Sequence, residues 1–188
     1  MAAGDFLAPT GVGNADVVIL EGTKVIREKG VKAGMSLLAS QRAQSLVIVY
    51  HDAENERIFA WPTNYNSFLS QKLEELGLKK ERLRVIEVPD IHPITFTEAQ
   101  IVLSHLSGQG VKSAILLSEG FHTRRSFWTY KQVGLPMGIK IIPYPYFIKY
   151  HNDDWWQKVD GAYAFMNEFL KFIYYLLCGY IPVKSLVK

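Results

Sequence analysis

Five short runs of apolar, largely β-branched residues recur along the chain, separated by longer amphipathic segments. Continuous apolar runs of this length are typical of strands that are buried on both faces of a parallel sheet. The predicted strands are Asp16–Glu21, Ser45–Tyr50, Leu83–Val88, Ser113–Ser118 and Ile139–Pro143. The pattern therefore predicts a five-stranded, mainly parallel sheet.

Helical spacing of apolar residues characterises the segments between and after these strands. The predicted helices are Lys24–Arg42, Asn66–Leu76, Thr95–Leu106, His122–Val133 and Asp153–Cys178. Strands that alternate with helices of this length indicate βαβ units with right-handed crossovers. The predicted fold class is α/β, a Rossmann-like doubly wound sheet flanked by helices. We expect one domain over residues 1–188, with its core at about 15–178. Ligands bind such sheets outside the carboxyl ends of the strands, where the strand order reverses.

Two helices carry further local signals. Thr95 and Glu98 have the spacing of a capping box, which would begin the third helix. On the last helix, one side carries five apolar residues, which are Met166, Phe169, Leu170, Ile173 and Leu177. The single cysteine, Cys178, lies among aromatic and leucine residues and is expected to be buried and inert.

Composition narrows the function classes. Of the 188 residues, 48% are hydrophobic and 21% charged, as in globular proteins, so a disordered chain is excluded. The net charge is +3, but Lys and Arg are scattered rather than gathered into a stripe, which argues against a nucleic-acid partner.

One cysteine excludes an internal disulfide framework, and the His spacing predicts no tightly bound metal. The sequence contains no uninterrupted apolar run of about eighteen residues, so it predicts no membrane-spanning helix. The N-terminus lacks a signal-peptide pattern, and an anchor upstream of it stays open.

Polar residues follow the first predicted strand. Gly22 would let backbone N–H groups approach a phosphate or carboxylate, and Glu21 and Thr23 would add polar contacts. The G-x-G-x-x-G fingerprint of dinucleotide binding is absent here. A plain tight turn and a ligand-binding loop both fit this segment.

The densest polar cluster follows the fourth predicted strand. Ser118 ends the strand, and His122 and Arg125 share one face at the start of the next helix, beside Arg124. A histidine and an arginine at a helix N-terminus suit an anionic ligand. The neighbouring guanidinium is expected to keep His122 neutral and able to accept a proton. The alternative is a histidine at a helix start with two surface arginines.

Two further strand ends reach the same edge of the predicted sheet. Thr95, Thr97 and Glu98 follow the third strand and would face the cleft, although the capping box explains Thr95 and Glu98 without a ligand. His51 follows the second strand. The aromatic segment from Tyr144 to Trp156 would either wall the cleft or pack its tryptophans against the last helix.

These motifs, taken in order, resemble those of the bacterial SanA/YdcF/ElyC-like domain family. The similar segments are Ala15–Gly22, Thr95–Ala99, Ser118–Arg125 and Trp155–Trp156, followed by a helix with Glu168 and Lys171. The resemblance spans nearly the whole chain, from Ala15 to Leu177. Where many members have a Gly-Gly pair after the first strand, this chain has Glu21-Gly22, as in an E-G branch of the family.

The resemblance implies a Rossmann-like domain of unassigned activity that is associated with the cell envelope and often anchored in the inner membrane. One cytoplasmic-type member is reported to bind S-adenosylmethionine. The implied site residues are Glu21, Gly22, Thr97, Glu98, His122 and Arg125. The departure from the glycine pairs leaves less room for a phosphate beside the backbone.

The resulting hypothesis is a domain that binds or acts on a small anionic, phosphate- or nucleotide-bearing ligand related to the envelope. His122 and Glu98 would be catalytic, and Glu21, Arg125 and the neighbouring polar residues would bind the ligand. Two alternatives stay open: a non-catalytic module that docks a partner or the envelope, and an S-adenosylmethionine-binding enzyme. The location is predicted as the bacterial envelope or the cytoplasm.

Overall fold

The computed structural model describes residues 3–23, 25–52, 71 and 73–186, without the side chains of Thr23 and Asp52. The strands are β1 (Val17–Thr23), β2 (Ser45–Asp52), β3 (Leu83–Pro89), β4 (Ser113–Glu119) and β5 (Lys140–Tyr146). The α-helices that are described over their whole length are α1 (Ala3–Leu7), α2 (Glu28–Ala39), α3 (Ile94–Gly108), α4 (Thr123–Gly134) and α5 (Val159–Leu177). Short 3₁₀ turns span Lys80–Arg82, Gly120–His122, Leu135–Met137, Trp155–Gln157 and Val183–Leu186.

All five strands are parallel, in the order β3-β2-β1-β4-β5. From β1 the chain builds outward to β3, then returns to the other side of β1 and builds outward to β5. The switch point of this doubly wound sheet therefore lies between β1 and β4. The predicted fold class, with its five parallel strands, is confirmed.

Alternation along the strands divides the core into two layers. Val17, Ile19 and Leu116 belong to the apolar layer that packs against α3 and α4. Val18 and Leu20 belong to the opposite layer, which packs against α2. Successive strand residues point to opposite faces, so the central part of β1, β2 and β4 serves both layers and is apolar, whereas the edge strand β3 carries Arg84 and an exposed Glu87.

The register of β1 against β2 shifts at the carboxyl end of β1. Leu20 pairs with Ile48 and Thr23 pairs with Tyr50, so Glu21 and Gly22 together stand opposite Val49 alone. Such a bulge bends the strand and re-aims its side chains, and it often lies beside a functional site.

Helix α2 is shorter than predicted and lies close to the sheet. A Cβ built on Gly34 would come within 2.9 Å of Leu46 Cδ1, so glycine allows this close packing at a cost in helix propensity. The predicted helix Asn66–Leu76 falls mostly on residues outside the description, although residues 71 and 73–75 are helical.

Helix α5 lies outside the two layers and contacts α4 and α1. Its inner side carries Phe172 and Tyr175, which are buried with Trp128. The expectation of a buried thiol is wrong: Cys178 follows the end of α5 and is exposed.

Candidate functional site

A cavity of about 540 Å³ opens at the carboxyl edge of the sheet, at the switch point. It is lined by the end of β1, by the N-terminal turns of α3 and α4 together with the residues before them, and by the C-terminal half of α5. Seven acidic or basic side chains reach it: Glu21, Glu98, Glu168, His92, His122, Arg125 and Lys171. Four of them, Glu21, Glu98, His122 and Arg125, are residues that the sequence analysis singled out. Their role in binding or catalysis stays a prediction.

His122 lies between two carboxylates. Its Nε2 is 2.8 Å from Glu21 Oε1, and its Nδ1 is 3.1 Å from Glu168 Oε2. Ser126 donates its hydroxyl proton to the same Glu21 oxygen. Burial alone would lower the pKa of His122, but the charge of Glu21, supported by Glu168 and opposed by Arg125, raises it to about 9. The raised pKa favours the imidazolium at neutral pH, against the expectation of a neutral His122, while Arg125 Nη2, 2.7 Å from Nδ1, opposes protonation there.

Arg125 is buried, and the N–H groups of its guanidinium donate to acceptors on two sides. Nε and Nη2 donate to Glu168 Oε2 over 3.0 and 2.9 Å, and Nη1 donates to Thr95 Oγ1 over 2.9 Å. The guanidinium also stacks over the ring of Tyr175, 4.7 Å from its centroid. Burial would raise the pKa of Glu168, but His122 and Arg125 hold it well below its usual range. The guanidinium is thus fixed in place at the cavity wall.

Glu98 forms the centre of a second, fully buried network. Its Oε1 accepts from the Tyr130 hydroxyl over 2.5 Å and from the Gly22 amide over 3.2 Å, and its Oε2 lies 2.5 Å from His51 Nε2. Burial would lower the pKa of His51, but the hydrogen bond and charge of Glu98 raise it. Burial and the same carboxylate raise the pKa of Tyr130 well above its usual value. The network joins β1, β2, α3 and α4 beneath the cavity.

The predicted capping box is wrong. Helix α3 begins at Ile94 after the extended residue Pro93, so Thr95 already lies in the first turn. Neither Thr95 nor Glu98 caps the helix, because Thr95 accepts from Arg125 and Glu98 turns toward the sheet. Both side chains are therefore free of a capping role, and both line the cavity.

Arg124 does not reach the cavity. Its guanidinium donates to the carbonyl oxygens of Ser185 and Phe6 and stacks over the Phe6 ring, 3.8 Å from the centroid. It ties the two ends of the chain to α4, so the ligand contact predicted for Arg124 is replaced by a structural one.

Three of the remaining predicted residues, Ser118, His51 and Thr97, do not line the cavity. Ser118 is fully buried at the end of β4, and His51 is buried beneath Glu98. Thr97 is half-buried on α3. Thr23 ends β1, but its side chain lies outside the description. The Trp155 ring stacks on the Phe165 ring of α5, with 4.2 Å between the ring centroids. Of the two alternatives for the aromatic segment, this contact matches packing of its tryptophans against the last helix.

The sequence analysis missed the contribution of α5, naming Glu168 and Lys171 only through the family resemblance. Lys171 Nζ lies 3.1 Å from Glu168 Oε1 and is half-exposed at the cavity. Tyr174, Tyr175 and Tyr180 form an aromatic wall beside them. One signal was present in the sequence: Glu168 and Lys171 are the only charged residues in the C-terminal half of this largely apolar helix, and they are three residues apart.

Three polar atoms at the strand ends are buried without a close hydrogen bond in the described part of the chain. They are Glu21 Oε2, Ser118 Oγ and His51 Nδ1. Ser118 nevertheless interacts with the Glu21 carboxylate and helps to lower its pKa, so these two side chains face each other at the strand ends. The site thus combines a buried carboxylate, an imidazolium and two further cations in one cavity.

Within the described residues, no group of three or more His, Cys, Asp and Glu side chains is arranged to hold a metal ion. None of the helices in that part of the chain has both the length and the apolar composition to span a bilayer. Comparisons with protein-family models, curated proteins and solved structures found no match for this chain.

Proposed function

We propose that this chain binds a small anionic, phosphate- or nucleotide-bearing molecule in the cavity and transfers a proton to it from His122. The observation that carries the proposal is the position of the His122 ring between Glu21 and Glu168, in a cavity of about 540 Å³ at the switch point of the sheet. Switch points are where doubly wound sheets bind their ligands.

The anion would lie against Lys171 and the first turn of α3. The first N–H groups of a helix have no partner within the helix and attract negative charge, and Ile94 and Thr95 line the cavity there. The Lys171 side chain is 48% exposed, against 7% for Arg125 and 23% for His122, so its ammonium has room to bind a ligand. Arg125 contributes positive charge from a fixed position.

His122 would act as a general acid. Glu21 holds Nε2 in place, and Glu168 and Arg125 lie at Nδ1. An imidazolium with a pKa of about 9 is protonated at neutral pH. In the hydrolysis of a phosphate ester, water would attack the phosphorus, the bond to the leaving oxygen would break, and the imidazolium would pass its proton to that oxygen and become neutral. Glu98 and the buried network beneath it would hold the bulge at Gly22 and the start of α3 in position.

From the motif resemblance we propose further that the chain belongs to the SanA/YdcF/ElyC-like family and that its ligand comes from bacterial envelope metabolism. A partner-docking module is a second candidate, and it is favoured by the exposed apolar side of α5. The S-adenosylmethionine alternative has less support, because Glu21, the carboxylate that could bind a ribose hydroxyl at the end of β1, already contacts His122 and Ser126.

Calorimetric titration with inorganic phosphate, pyrophosphate, nucleoside diphosphates and S-adenosylmethionine tests the proposal. We expect one of the phosphate compounds to bind, and Lys171→Ala to weaken it about tenfold, equivalent to one lost charge contact. The matched control is Lys32→Ala, an exposed helical lysine that also has a carboxylate partner but lies on α2. If turnover of a phosphate ester is found, His122→Gln should lower kcat by about 10²–10⁴-fold. Absence of binding by every phosphate compound, or equal affinities of the two lysine variants, would refute the proposal.

A further inference from the structure

One side of α5 exposes a continuous apolar stripe. Six side chains form this stripe, and their residues are 55–89% exposed. They are Val159, Tyr163, Met166, Leu170, Tyr174 and Leu177. The opposite side of the same helix packs Phe172 and Tyr175 into the body of the domain. A helix that is apolar on both sides is normally covered on both sides, and among the residues that the structure describes nothing covers the stripe.

The spacing of the stripe is the spacing of a helix–helix seam. Its members follow one another at intervals of four, three, four, four and three residues. Alternating intervals of three and four keep side chains on one narrow line along a helix and allow them to interdigitate with a similar line on a second helix. The stripe therefore matches another helix better than a flat or irregular surface.

The exposed area of the stripe is sufficient for a stable interface by itself. From the exposed fractions, the six residues present on the order of 800 Å² to solvent, and a standard interface buries about 800 Å² per partner. The largest apolar patch of a typical monomer is only about 300–600 Å².

Charge distinguishes a protein partner from a membrane surface. Helices that lie on membranes are rich in Lys and Arg on their polar side. Helix α5 carries two acids, Asp160 and Glu168, and one base, Lys171, and its Glu168 contacts Arg125 inside the domain. Tyrosine and methionine, which are enriched in protein interfaces, are both present in the stripe.

We propose that the α5 stripe is a homodimer interface, in which α5 of one copy packs against α5 of a second copy around a two-fold axis. Two identical stripes match each other in apolar character, length and spacing, and a two-fold dimer is the commonest assembly that buries one patch on itself. Tyr174 belongs to the stripe and also lines the cavity, so this interface borders the candidate site.

Light scattering and sedimentation velocity of the full chain, from about 1 to about 100 µM, test this interface. We expect a species of twice the chain mass, and we expect Met166→Glu with Leu170→Glu to yield a monomer with unchanged circular dichroism. The matched control is Leu135→Glu, which alters a residue that is 71% exposed in the turn after α4 and should leave the dimer intact. Leu170→Ala, which adds no charge, should raise the dissociation constant about tenfold or more.

The other outcomes overturn the proposal. A monomer at every concentration excludes the dimer, and a dimer that persists in the double variant assigns the interface to another surface. A monomer that binds phosphatidylglycerol vesicles through the stripe shows a membrane-facing helix instead. Ligand titration of the monomeric variant separates this result from the proposed function, because binding without dimerisation would contradict only the interface.

Discussion

His122 Nε2 lies 2.8 Å from Glu21 Oε1, and this pair joins the bulge at the end of β1 to the residue that precedes α4. The two strands concerned, β1 and β4, flank the switch point of the sheet. A protonated imidazole therefore sits where a doubly wound sheet normally binds its ligand.

Stability should fall as pH rises through the titration of His122. The folded-state pKa of about 9 lies above the ordinary 6.5, so the stabilisation is complete below pH 6.5 and is lost as pH passes about 9. The contribution is on the order of 3 kcal/mol in the free energy of unfolding. His122→Gln should flatten this dependence, as measured by urea unfolding below pH 6.5 and above pH 9. Equal pH slopes for the two proteins would contradict the assignment.

Gly22→Ala should destabilise the protein by about 1–3 kcal/mol. A Cβ on Gly22 would lie 2.6 Å from both Glu98 Oε2 and His51 Nε2, so one of these buried groups must move. Gly108→Ala is the control, because a Cβ there meets nothing within 4 Å at the end of α3. Chemical denaturation of both variants measures the difference. A Gly22→Ala protein as stable as Gly108→Ala would show that the bulge adapts without cost.

Tyr130→Phe should cost about 1–3 kcal/mol, because it removes the hydroxyl that donates to Glu98 Oε1 over 2.5 Å inside the core. Tyr163→Phe, on the exposed side of α5, should change stability by less than about 0.5 kcal/mol. Thermal unfolding of the two variants compares them directly. The loss in Tyr130→Phe should shrink in a Glu98→Gln background, because the shared hydrogen bond is already altered there.

Arg124→Met and Arg125→Met should affect different properties. Arg124 holds the Phe6 and Ser185 carbonyl oxygens, so its loss should lower the free energy of unfolding by about 2–3 kcal/mol and leave ligand affinity unchanged. Arg125 lines the cavity, so its loss should also weaken ligand binding. Denaturation and calorimetry on each variant separate the two roles. A weaker ligand affinity in a folded Arg124→Met protein would show that Arg124 contributes to ligand binding after all.

Much of the fold followed from local pattern. Each strand was placed to within a few residues because a strand buried on both faces has an apolar centre, as Ala114–Leu117 within β4 does. The ends of helices were less predictable. Thr95 and Glu98 have the capping-box spacing, but Arg125 and the buried His51 compete for their side chains, and these contacts come from other parts of the chain.

The sequence by itself determined the class of the fold and the edge of the sheet at which Glu21, Glu98, His122 and Arg125 would meet. Hydrophobic periodicity and the rules of parallel sheets are local or general, so a single chain is sufficient to apply them. Only the tertiary structure decided the protonation of His122, because the Glu168 carboxylate reaches it from α5, 46 residues along the chain. The tertiary structure alone also decided that the apolar stripe of α5 faces solvent. Periodicity defines an apolar face of a helix, but it does not define what packs against that face.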